Sequence, residues 1–177
     1  MKDFFVNFAR ANEEADKAIV TILDKMTNVD REKTRKSYYG SLSGLARHVL
    51  GGTCYFLGLF KESVANNAKA QKALASLAKI VTPEAKKLGE EDWAMVTAGI
   101  KAADKAYIDF VSALDDEALS AQVKIDRYGG KPATVPVSFM LQQLVAHGIH
   151  HRGQISQILD SLKIDNDYSS INVKFLK

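Results

Sequence analysis

The sequence predicts an all-α fold: a four-helix bundle with one short extended insert before the last long helix. Three observations predict it. Apolar residues recur at steps of three and four along four long stretches, which is the period of one helix face. Proline is absent until Pro83 and returns only at Pro132 and Pro136. Long proline-free stretches favour helices, because Pro removes a backbone donor and clashes with the preceding turn. Residues 119–137, between the third and fourth stretches, drop the helical rhythm for alternation. A chain of 177 residues is long enough to bury a core, so one domain over 1–177 is expected.

The first helix is expected over 3–27. Phe4, Phe8, Ala11, Ala15, Ile19, Ile22, Leu23 and Met26 share a face, and Thr27, Asn28 and Asp30 end it. Ser41 and Ser43 are N-cap candidates for the second helix, whose stripe is Leu42, Leu45, Val49, Gly52, Phe56 and Phe60. Gly51 and Gly52 stand inside that pattern, and each costs about 1 kcal/mol against Ala in a helix interior. Either the helix breaks there or something beside it needs the room. The Ala/Lys-rich stretch 65–79 either continues this helix or forms a short extra one before Thr82-Pro83.

The third helix is expected from Glu90 to Leu114. Trp93, Val96, Ile100, Ala103, Tyr107, Phe110 and Leu114 hold its period, and Glu90, Glu91 and Asp92 complement its dipole. In the insert, Val123, Ile125 and Arg127 alternate with polar residues. Tyr128-Gly129-Gly130-Lys131 offers a tight turn before Thr134-Val135, so a small hairpin is expected. Pro136 and Ser138 suit the entry to the fourth helix, Val137–Ser161. Its inward residues are Leu141, Leu144, Val145, Ile155, Ile158, Leu159 and Leu162. The tail 164–177 is mixed.

Composition excludes several classes. With 46% hydrophobic and 25% charged residues the chain is an ordinary globular one. One cysteine, Cys54, can make neither an internal disulfide nor a thiolate metal cluster, which points to a reduced, cytoplasmic setting. No apolar run reaches about 18 residues, so no membrane span is expected. Acids enter the N-terminal segment before an apolar core can form, which argues against a signal peptide. The net charge is +3, too small to predict a nucleic-acid partner. The excess is local: residues 61–87 hold six Lys against two Glu, and a solvated helix face accounts for that.

The histidines carry the chemistry. His48 is on the second helix; His147, His150 and His151 cluster on the fourth. At about 100° per residue, His147 and His151 are about 40° apart around the axis and one turn apart along it. This i,i+4 spacing lets two imidazoles converge on one ion. His151 falls on the inward stripe, His147 flanks it, and His150 points to the side. Gly148 leaves room between the pair, and Gly51 and Gly52 leave room beside His48. If the second and fourth helices face each other, three neutral imidazoles meet and leave a dication's charge uncompensated. Such an open site suits Zn²⁺, Ni²⁺ or Fe²⁺.

Other chemistries fit poorly. A zincin needs Glu directly after the first His, and Gly148 stands there. No G-x-S-x-G elbow and no phosphate-binding glycine loop is present. Cys54 is about 120° from His48 around the helix, so it is a poor fourth ligand. Tyr55 returns to the His48 face, with core packing its expected role.

Here the sequence resembles a known family. His147-Gly-Ile-His-His-Arg-Gly-Gln-Ile155 resembles the H-x-x-x-H-R-G-Q-[IL] signature of the DinB/YfiT superfamily of metalloenzymes. Tyr128-Gly-Gly-Lys with Pro136 resembles the insert before that helix. The Ser-Leu-x-x-Leu-x-x-His stretch ending at His48 resembles the first-ligand region. The Lys-rich 65–87 segment is longer than the family pattern and reads as an insertion. The resemblance implies an up-down-down-up bundle with a three-histidine site near one end, and frequent homodimers. It implies His48, His147 and His151 as metal ligands, with nickel or zinc the usual occupant and iron in some relatives. Arg152, Gly153 and Gln154 match motif positions without a role. The family is not the DNA polymerase of the same name. Some relatives transfer low-molecular-weight thiols such as bacillithiol, or isomerise maleylpyruvate with mycothiol.

The leading expectation is therefore a divalent-metal-dependent transferase that activates a thiol cofactor toward a small electrophile. The alternatives are a metal-dependent hydrolase and a non-enzymatic metal-binding stress-response bundle. Structural zinc usually has four protein ligands, and three candidates lean against the last.

Overall fold

A computed structural model of the chain describes residues 1–128 and 131–168. Among these the fold is mainly helical, with seven α-helices and one two-stranded sheet. The Gly129-Gly130 turn and the tail beyond 168 lie outside the described residues.

Helix α1 spans Lys2–Asp24 and stops short of the expected residue 27. Thr27 instead starts a new short helix, α2 (Asn28–Glu32): its hydroxyl accepts from Asp30 N–H at 3.1 Å. The buried face of α1 is Phe5, Ala9, Asn12, Ala15, Asp16, Ile19 and Leu23. Over the first turns this is one position round from the expected stripe, and Phe4 is half in solvent. The apolar spacing alone favoured Phe4 and Phe8. The neighbouring helices select the face that carries Asn12 and Asp16 as well.

Helix α3 spans Leu42–Leu59 and runs straight through Gly51-Gly52. Ser41 is its N-cap, accepting from Gly44 N–H at 3.0 Å, while Ser43 is buried inside the first turn. The chain then turns, and Asn67 caps a separate short helix, α4 (Ala68–Ala75), which continues as a 3-10 turn over Ser76–Lys79. The extra-helix alternative for 65–79 is the one observed. Asn67 also donates to Ala113 C=O at 2.9 Å, tying α4 to α5 (Glu90–Ala113).

An unexpected short helix, α6 (Asp116–Ser120), is capped by Asp115 and leads into the hairpin. Strands β1 (Gln122–Tyr128) and β2 (Lys131–Pro136) pair antiparallel, Val123 opposite Val135 and Ile125 opposite Ala133. Val123 and Ile125 point into the core, as alternation required. Helix α7 is Val137–Ser161, the expected span. Leu162, expected inward, is exposed because the helix has already ended there.

The four long helices pack side by side. Trp93 Nε1–H donates to Asp24 at 2.8 Å and Asn12 to Asp104 at 2.8 Å, so α1 and α5 run antiparallel. Leu50 packs at Gly99 and Phe60 stacks on Phe110, so α3 and α5 run parallel. Helices α3 and α7 are antiparallel, with Gly52 against His147 and His48 against His151. Helix α1 lies along α7 through Asn12, Asp16 and Arg152.

The apolar core is split in two. One cluster gathers Phe5, Leu57, Phe60, Phe110 and Leu141 beside the hairpin; the other gathers Leu23, Leu45, Leu50, Trp93 and Leu159. Between them in sequence on α1, α5 and α7 lie Asn12, Asp16, Asp104 and Arg152, all buried. Burying charges is costly unless they are paired, so this polar layer marks the level at which the structure does something other than pack. No helix among the described residues is long and apolar enough to cross a membrane.

Candidate metal centre

The i,i+4 pair on α7 meets the single histidine of α3, as helix-facing geometry required. His48 Nε2 lies 3.1 Å from His151 Nε2 and 3.1 Å from His147 Nε2. One nitrogen from each ring falls within a 4.8 Å group. His151 is buried; His48 and His147 are half-buried. The trio lies in the second turn of α3 and at mid-length of α7, rather than at the end of both helices.

Hydrogen bonding cannot satisfy this arrangement. Gln154, one turn beyond His151, places Oε1 2.8 Å from His151 Nδ1. The proton therefore sits on Nδ1 as donor, and His151 Nε2 presents a lone pair to the other rings. His48 Nε2 has two nitrogen neighbours and at most one proton to give. Three converging imidazole nitrogens thus leave lone pairs facing one another, an arrangement that suits a shared cation.

The electrostatics agree. Burial first, then the closeness of His151, which would make two positive rings repel, holds His48 down to about 4. Burial again leads for His147, followed by His151, His48, His150 and Arg152, and holds it at about 4. Both rings are neutral at pH 7 and ready to donate to a metal. A lowered folded-state histidine pKa means that the unfolded chain takes up protons first. Through these two groups the metal-free protein should lose stability as pH falls from about 6.5 toward 4, and no further from them below that. Both rings are partly solvated, so the loss is about 2 kcal/mol rather than the larger full-burial value. Urea denaturation of chelator-treated protein and of a His48→Gln, His147→Gln double variant at pH 7 and pH 4.5 measures it, because the buried carboxyls are common to both; equal pH dependences in the two would refute the assignment.

The glycines divide. A Cβ on Gly52 would sit 2.2 Å from His147 Cε1, so Gly52 makes the room for that ring. A Cβ on Gly51 would meet nothing within 4 Å, so the expectation that both glycines clear the site holds for Gly52 alone. Gly148 also needs correction. A Cβ there would come within 3.0 Å of Arg152 Nη1 and 3.1 Å of Asn12 Oδ1. It clears space for the buried guanidinium behind the histidines, not for a ligand between them.

Tyr55 is exposed, not packed in the core. Cys54 is half-buried against the second apolar cluster, and burial pushes its thiol up. It is no reactive thiolate. His150 is exposed, with its ring 4.8 Å from that of His151.

Sequence reasoning missed several neighbours. Tyr39, in the turn before α3, stacks on His48 with centroids 3.8 Å apart and meets His151 edge-on at 5.4 Å. Phe56, expected in the core stripe, flanks His147 at 5.4 Å. Behind the trio, Arg152 donates to Asn12 and, at 3.2 Å, to Asp16. Asn12 donates to Asp16 at 2.9 Å and to Asp104 at 2.8 Å. A signal was present for part of this: Asn12 and Asp16 are an i,i+4 polar pair interrupting an apolar face.

Compared with protein-family models, residues 1–162 match that of the DinB family. No curated protein and no solved structure matches the chain.

Proposed function

The chain belongs to the DinB family, and from that premise we propose that His48, His147 and His151 bind one divalent metal ion, nickel or zinc before iron, in a thiol-dependent transferase. One observation carries the proposal: three imidazole nitrogens converge, with His48 Nε2 3.1 Å from each of the other two. Distances of that order are what metal–nitrogen bonds of about 2.0–2.1 Å in tetrahedral geometry require. We read the four long helices as the family's up-down-down-up bundle, and the helix directions given by their contacts support that reading.

The bound ion would supply Lewis acidity, stabilising a low-molecular-weight thiol as its thiolate for transfer to a small electrophile. The chain's own residues position it. Gln154 fixes the His151 tautomer, Gly52 admits His147, and Tyr39 covers one face of His48. The open-site reading is favoured over a structural ion because the described residues offer three donors and not four. Thiol transfer is favoured over hydrolysis because, among the described residues, no carboxylate joins the three histidines, which leaves a hydrolytic water without a carboxylate base at the site.

Elemental analysis of purified protein should find about one divalent ion per chain, and His151→Ala should lose it. Metal-dependent conjugation of a thiol to an electrophile then tests the reaction. A protein that stays metal-free with all three histidines intact overturns the proposal. Gln154→Ala should keep the stoichiometry but weaken affinity about 10–100-fold, the usual cost of losing a ligand's outer partner. Competition with a chromophoric chelator measures it, and an unchanged affinity would deny Gln154 its orienting role.

A further inference from the structure

Aromatic rings flank the imidazole trio on both sides. Tyr39 stacks on His48, its plane 19° from the imidazole's. Phe56 stands at His147, its plane at 67°. Each has a second ring beyond it: Tyr38 lies 5.0 Å from Tyr39, and Tyr55 lies 5.5 Å from Phe56. The outer rings are open to water, Tyr38 at 91% and Tyr55 at 59%. Exposed tyrosines scattered singly need no explanation. Here two of them end a continuous run of rings that passes through the three histidines.

The Tyr39 side of this run is rigidly built. Gly40 adopts φ +78, a left-handed conformation that favours glycine. Arg35 N–H donates to Gly40 C=O, and Ser41 N–H to Tyr39 C=O. A Cβ on Gly44 would sit 2.3 Å from the Tyr39 carbonyl oxygen, so Gly44 lets that backbone pass close against α3. Two glycines and the Ser41 cap thus hold Tyr39 over His48. The ring is not there by chance of a loose loop.

Charge selects the rest of the ligand. The three histidines are neutral donors, so an ion held by them keeps its full positive charge. Among the described residues no carboxylate joins the three histidines as a donor to the same point. Arg152 is paired with Asp16 on the far side. The described residues supply no anion at this place, and its open position therefore favours one from outside.

We propose that Tyr39 and Phe56 form a subsite, beside the three histidines, for a small planar anion of the aromatic carboxylate class. This rests on the metal reading above. The carboxylate meets the uncompensated positive charge, and the flat ring lies among aromatic side chains, where offset or edge-on contacts add to simple burial.

Binding to cobalt-loaded protein tests it, read by the visible absorption of the cobalt and by calorimetry. Three probes separate the contributions: benzoate, cyclohexanecarboxylate of the same charge and similar size, and neutral benzyl alcohol. Benzoate should bind about tenfold more tightly than either. In Tyr39→Leu and in Phe56→Leu the advantage of benzoate over cyclohexanecarboxylate should fall at least about threefold, with cobalt still bound at one per chain. Equal affinities for benzoate and cyclohexanecarboxylate in cobalt-loaded parent protein overturn the proposal. So does an advantage that survives both substitutions in cobalt-loaded, folded variants. Parent protein that takes up no cobalt refutes the metal reading itself, and the subsite falls with it.

Discussion

Gly52→Ala should cost the protein its metal site while sparing its fold. The added Cβ would stand 2.2 Å from His147 Cε1, 2.8 Å from Nδ1 and 3.0 Å from Nε2. Carbon atoms do not approach so closely, so something must move. The obstacle is the half-buried end of a side chain, not backbone, and the ring can swing away about its side-chain torsions. That movement carries Nε2 out of reach of His48 Nε2, now 3.1 Å away. Overpacking of this kind costs about 1–3 kcal/mol, which read as lost affinity is roughly 5–150-fold. Helix content should hold or rise slightly, because Ala is the better helix former. Gly51→Ala is the matched control: its Cβ meets nothing within 4 Å. It should gain up to about 1 kcal/mol in stability and keep full metal affinity. Chelator competition and thermal melts on both variants measure this. Equal affinities in the two variants would show that Gly52 does not serve the site.

The same pair shows how far the sequence could be read. The two glycines were recognisable as costly inside an apolar helix, and so was the need for room. Which of them faces the ligand ring depends on the rotation of α3 against α7, and local spacing does not fix that. The α7 span and the His147/His151 pair were legible because a 25-residue helix has a strong period and both histidines sit on it. The stripe of α1 was misplaced over its first turns for the converse reason. Phe4 and Phe8 satisfy the helical period as well as Phe5 and Ala9 do, and only the partners across the interface choose between them. Tyr39 was not legible at all: it stands in a turn, outside any periodic element, and its position over His48 follows from Gly40, Ser41 and Gly44 acting together. Asp104 was hidden inside a stripe of apolar residues, since its partner Asn12 is 92 residues away in the chain and Asp16 is similarly distant.

That buried layer carries the largest expected effect on stability. Arg152→Met should destabilise the protein by about 3–5 kcal/mol at pH 7, the cost of leaving one member of a buried ion pair alone. Arg152 and Asp16 are almost fully buried, and the guanidinium meets the Asp16 carboxylate at 3.2 Å. Burial raises the Asp16 carboxyl even with Arg152 in place, and Arg152 opposes that rise. Burial and the adjacent Asp16 charge push Asp104 well above the usual carboxylate range. A raised carboxyl contributes stability that is complete below its unfolded value of about 4 and is lost as pH climbs through the folded value. Without Arg152 both carboxyls rise further, so the variant's deficit should be large at neutral pH and shrink toward pH 4.5. The histidine losses over that range occur in both proteins and largely cancel in the difference, since Arg152 is the smallest of the influences on His147. Asp16→Leu combined with Arg152→Met should recover much of the deficit, because an apolar pair carries no desolvation cost. Urea denaturation of the parent, the single and the double variant at pH 7 and pH 4.5, all under chelator, decides the matter. A deficit below about 1 kcal/mol, the value typical of a surface pair, or one unchanged by acid, would mean that Arg152 is held by packing and not by charge.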